Sequence, residues 1–81
     1  MAMQFQVPQF TDGQLEIRID DEGVAIYGTR DGLRALAKIC TKLASRNLGR
    51  DGTAHIHLED HALLTSKSVN AAVAVFEAEG T

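Results

Sequence analysis

All three histidines of the chain fall within seven residues, His55-Ile56-His57-Leu58-Glu59-Asp60-His61, with two carboxylates among them. Histidines at i and i+2 on a strand point the same way, and Glu59 or His61 would supply a third ligand of a zinc-type set. Strong metal motifs pair such a cluster with a second, distant group of histidine, cysteine or acid, and every histidine of this sequence is already used here. Polar histidines alternating with Ile56 and Leu58 also describe an ordinary half-exposed strand. The expectation is a surface histidine pair with no metal and no cofactor.

Other catalytic arrangements are weaker. The lone cysteine, Cys40, falls on what the periodicity reads as an apolar helix stripe, where a thiol is inert packing, and it has no intramolecular disulfide partner. Neither a phosphate-binding Walker loop nor a dinucleotide glycine pattern occurs. The carboxylate pairs Asp20-Asp21 and Glu59-Asp60 read as solvated turn charge. Gly28-Thr29 at a helix start is a common anion-binding feature and singles out no ligand. No catalytic residues are assigned, and the sequence reads as a binding protein, not an enzyme.

Charge is distributed unevenly. Arg30, Arg34, Lys38, Lys42 and Arg46 recur every four residues, with Arg50 just beyond. Residues 29–52 hold these six cations against Asp31 and Asp51, a local charge of +4, while the rest of the chain sets Arg18 and Lys67 against nine carboxylates, a charge of −7. Like charges at i,i+4 cost a helix a few tenths of a kcal/mol per pair, so the row is mildly unfavourable in isolation. One reading is a solvated face whose long stems shield the core. The other is a polarised molecule that steers a charged partner.

The elements that must position these residues follow from periodicity. Leu15, Ile17 and Ile19 alternate with Glu16 and Arg18, Asp20-Asp21-Glu22-Gly23 is an acidic turn, and Val24 to Tyr27 continues, so residues 14–28 read as a β-hairpin. Thr29 is a suitable N-cap for a helix over residues 29–47, with an apolar stripe of Leu33, Leu36, Ala37, Cys40, Leu43 and Ala44. After the turn at Gly49–Gly52, residues 54–58 read as a strand with His55, His57 and Glu59 on one face. Residues 69–77 read as a last strand, from Val73, Val75 and Phe76.

The result is one α+β domain over residues 1–81, ordered ββαββ, with one helix on one face of an antiparallel sheet. Residues 1–13 form an arm or an extra N-terminal edge strand. The last strand is apolar on both faces, and a single helix covers only one. The arm, a second subunit forming a homodimer through the open sheet face, or another protein must cover the other.

Composition sets further bounds. Eighty-one residues give room for one core, and a net charge of −3 argues against a nucleic-acid partner. No apolar run approaches the ~18 residues of a membrane span, no secretory signal is visible, and a single cysteine fits a reducing compartment, so the expected location is cytoplasmic.

Tyr27-Gly28-Thr29-Arg30-Asp31-Gly32-Leu33-Arg34-Ala35-Leu36-Ala37, then His55-Ile56-His57-Leu58-Glu59, then Leu64 and Ser68, resemble the immunity protein 32 family of bacterial polymorphic-toxin systems. The resemblance spans about residues 15–76. It implies a small protein that binds and neutralises a cognate toxin domain without catalytic residues of its own. Asp20, Asp21, Glu22, His55, His57, Glu59 and Asp60 are the partner-binding candidates. Against a nuclease toxin with a basic groove, the acids among them would mimic nucleic acid. The competing expectation is a homodimeric structural or regulatory module.

Overall fold

In a computed structural model, residues 8–50 and 52–77 are described. The chain is α+β, in the order β1 (Leu15–Asp20), β2 (Gly23–Gly28), α1 (Arg30–Ala44), β3 (Thr53–His57), a 3-10 helix (Leu58–His61) and β4 (Ala72–Phe76). The strands pair as two antiparallel hairpins, β1 with β2 and β3 with β4, each a two-stranded sheet. Within the expected arm, residues 1–7 lie outside the described residues, and 8–14 run into β1 without forming a strand.

The first hairpin follows directly from its pattern. Leu15 faces Gly28, Ile17 faces Ile26, Ile19 faces Val24, and Asp20 and Gly23 close the turn. Directly opposite residues of an antiparallel pair share a face, so the aliphatic side chains line one side. Gly23 has φ 136°, a conformation that L side chains rarely adopt.

The other edge of β1 is also occupied. The backbone N–H groups of Gln14 and Leu15 donate to the Leu63 carbonyl, the Thr65 N–H to Leu15, and the Val69 N–H to Ile17. The Ser68 hydroxyl accepts from the Ile17 N–H at 2.8 Å. Residues 63–69 therefore run along β1, with a parallel bridge between Leu15 and Leu64. This loop is what locks the C-terminal half of the chain onto the first hairpin.

Thr29 caps α1 as the sequence predicts, its hydroxyl accepting from the Gly32 N–H at 2.9 Å. The helix stops at Ala44 with Ser45 as its C-cap, three residues short of the expected end. Gly32 sits where α1 meets the strand entry, and a Cβ there would collide with the Gln14 carbonyl oxygen. Gly32 and Leu43 are buried, and Ala35, Leu36 and Ile39 are half-buried. The inward stripe is thus Gly32, Leu36, Ile39 and Leu43, rotated from the expected one. Leu33, Ala37, Cys40 and Ala44 are exposed, so Cys40 is not core packing.

Among the described residues the buried hydrophobics are Leu15, Ile17, Leu43 and Leu58. That is a small core even for a domain of this length.

Candidate partner-binding surface

The seven candidate residues are all exposed, in two groups. Asp20 ends β1, and Asp21 and Glu22 form the hairpin turn, where the Asp20 carboxylate accepts from the Glu22 N–H at 2.8 Å. The side chains at the tip thus project three carboxylates from a tight two-residue connection. Among the described residues, no hydrogen bond or ion pair joins this tip to the second group.

The second group spans β3 and the 3-10 helix. His55 and His57 lie on the exposed face of β3, with ring centroids 5.0 Å apart and planes at 89°. Glu59 does not continue the strand face as expected, because the chain turns into the 3-10 helix at Leu58, whose side chain is buried. From there the Glu59 carboxylate reaches back to within 3.4 Å of His57 Nδ1, an ion pair when the imidazole is protonated. Asp60 and His61 complete the same turn. Among the described residues no group of three or more His, Cys, Asp or Glu side chains is placed to hold a metal ion.

β4 puts Ala74 opposite His55, Ala72 opposite His57 and Phe76 opposite Thr53. These residues form an exposed face, with Phe76 71% accessible, while Val73 and Val75 turn to the half-buried side. The last strand begins at Ala72 instead of Val69, since Val69 is engaged by β1. The second apolar face of this strand, Ala72, Ala74 and Phe76, is thus exposed.

Two further features escaped the sequence reading. The first is an open aliphatic face on the first hairpin: Ile19 and Val24 are each 65% accessible and Ile26 52%. Leu33, 46% accessible, continues this face at the start of α1, since its side chain lies where a Cβ on Gly28 would point. The legible signal was the count of elements: one helix cannot cover two hairpins.

The second is Glu16, expected on the solvent side of β1 and in fact 1% accessible. Its carboxylate accepts from the Thr65 hydroxyl at 2.6 Å and pairs with Arg18 Nε at 2.5 Å. The Thr65 hydrogen bond, with Arg18 and Lys67 adding to it, outweighs desolvation and holds the Glu16 carboxyl below its ordinary value. Glu16 is a structural tie, and no sequence signal marks it.

The cations of α1, Arg30, Arg34, Lys38 and Lys42, are exposed along its whole length. Only Arg34 has an acidic partner among the described residues, Asp31 at 3.5 Å on the surface. A shallow depression of ≈ 210 Å³ lies between Pro8, Phe10, Tyr27, Gly28 and Thr29. Among the described residues it gathers no acid, base or nucleophile suited to catalysis.

The described residues thus make a small α+β domain with a thin core, open apolar faces and segregated surface charge. The model of the immunity protein 32 family matches residues 23–76, about two thirds of the chain, and the chain belongs to that family. No curated protein and no solved structure matches it. No helix among the described residues is long and apolar enough to cross a membrane.

Proposed function

We propose that this protein is a bacterial immunity protein that acts in the cytoplasm, binding a cognate toxin domain and blocking its active site or an essential surface. Membership of the immunity protein 32 family over residues 23–76 carries the reading. The role is non-catalytic: neutralisation needs an interface, with affinity from a central group of anchors and encounter speed from charge complementarity.

The contact surface in this reading comprises the acidic turn Asp20, Asp21 and Glu22 together with His55, His57, Glu59 and Asp60. Exposure of all seven side chains supports it. A basic groove on the toxin is the complementary partner, with the carboxylates standing where a polyanionic substrate would lie.

The test is capture of a candidate toxin domain, taken from the reading frame neighbouring this protein's gene, measured by surface plasmon resonance over a range of salt concentrations. Reversal by Asp20→Lys, Asp21→Lys and Glu22→Lys is expected to slow association by about tenfold or more at low salt, with the difference shrinking as salt screens it. Unchanged association after reversal would remove the acidic turn from the interface. Absence of any capture by the unaltered protein would overturn the immunity reading itself.

A further inference from the structure

The first hairpin presents an open aliphatic face with opposite charges at its two ends. Its middle is aliphatic, formed by Ile26 with Ile19 and Val24, and it ends at one side in the carboxylates of Asp20, Asp21 and Glu22. At the other end stands the start of α1, where Leu33 continues the apolar surface between the exposed Arg30 and Arg34. One face thus carries negative charge, apolar surface and positive charge in a row. β1 is six residues long, so the two charged ends are separated by about 20 Å.

We propose that two copies pair through this face as an antiparallel dimer, which does not rest on the immunity reading but uses the same acidic turn, so that a second copy and a toxin compete for it. The two-fold axis runs within the interface and across the strands, level with the Ile17–Ile26 pair. Such an isologous contact repeats each interaction twice. The acidic turn of each copy then meets Arg30 and Arg34 of the other, while Ile19, Val24, Ile26 and Leu33 of both copies fill the middle. A parallel arrangement would set acid against acid and cation against cation, so the charges select the antiparallel one.

Size and stability agree with this occupant. The four aliphatic side chains expose on the order of a few hundred Å² together, the scale at which an apolar patch marks an interaction surface. Turn and helix start extend it towards the ~800 Å² per partner of a specific interface. A domain with four buried hydrophobics among its described residues also gains from a second source of apolar burial.

The experiment is sedimentation velocity on the 81-residue chain at micromolar concentrations, with circular dichroism to check folding. The unaltered protein is expected to sediment at twice its 8.8 kDa mass. Ile26→Asp, on an exposed position, is expected to give a folded monomer, weakening self-association more than tenfold. A charge exchange supplies the decisive arm. Variant one carries Asp21→Lys and Glu22→Lys, sparing Asp20, which accepts a turn hydrogen bond; variant two carries Arg30→Glu and Arg34→Glu. Each alone sets like charges at both ends and is expected to be monomeric, whereas an equimolar mixture restores both contacts and should form a heterodimer.

Recovery on mixing also demonstrates that both variants are folded. A monomeric unaltered protein at 100 micromolar, on the order of the weakest concentration range a specific dimer would need, would overturn the proposal. So would a dimer indifferent to Ile26→Asp, or a mixture that stays monomeric while both variants are folded.

Discussion

The Thr65 hydroxyl donates to the buried carboxylate of Glu16 at 2.6 Å, joining two residues 49 positions apart. Around this bond, residues 63–69 dock on β1 through backbone hydrogen bonds at Leu63, Thr65 and Val69. It is therefore the polar centre of the seam between the two halves of the chain. Thr65→Val keeps the shape and removes the donor, leaving Arg18 as the hydrogen-bond partner of the carboxylate. Thermal melting should show a lower Tm for Thr65→Val than for the unaltered protein, whereas Thr53→Val, on the exposed face of β3, should leave it unchanged.

The same contact sets a pH dependence. Glu16 is held below its ordinary value of 4.5 in the folded state, chiefly by Thr65. A depressed carboxylate contributes stability above its unfolded value and loses it as pH falls towards the folded one. Denaturation curves should show this contribution intact at neutral pH and declining progressively below about pH 4.5. Thr65→Val should flatten that acid limb relative to the unaltered protein.

Gly32 is fixed by close approach: α1 begins directly against the Gln14 carbonyl, and a Cβ has no room. Gly32→Ala should therefore destabilise by about 1–3 kcal/mol despite the better helix propensity of alanine. Urea unfolding measures this, and a stabilised variant would contradict the described packing of helix start on strand entry.

The orientation of α1 separates two neighbouring positions. Leu43 is buried, so Leu43→Ala should cost about 2–5 kcal/mol. Cys40 is exposed, so Cys40→Ser should fall within about 0.5 kcal/mol of the unaltered protein. A thiol reagent should label Cys40 under native conditions, at a rate near that in denaturant.

Periodicity located the first hairpin and the helix because their patterns are local: alternation over Leu15–Ile19, the acidic turn, and Thr29 as the cap. The helix stripe came out one position off, because Leu36 and Leu43 fit either stripe and only packing against the two hairpins selects Ile39 over Cys40. Glu16 was placed in solvent by the same alternation that correctly placed Ile17 inside. Its burial depends on Thr65, a partner that no spacing within β1 can announce. The candidate surface was legible as residue types, but not as two groups, since Glu59 leaves the strand only when Leu58 turns inward.

The most direct test of the central claim is growth rescue. A candidate toxin domain, taken from the reading frame neighbouring this protein's gene, is expressed under an inducible promoter in a bacterial host, with and without the 81-residue chain. Toxin neutralisation predicts that co-expression restores growth, and that Asp20→Lys, Asp21→Lys and Glu22→Lys together weaken the rescue. Arrest of growth despite abundant, folded protein in the same cells would contradict the account.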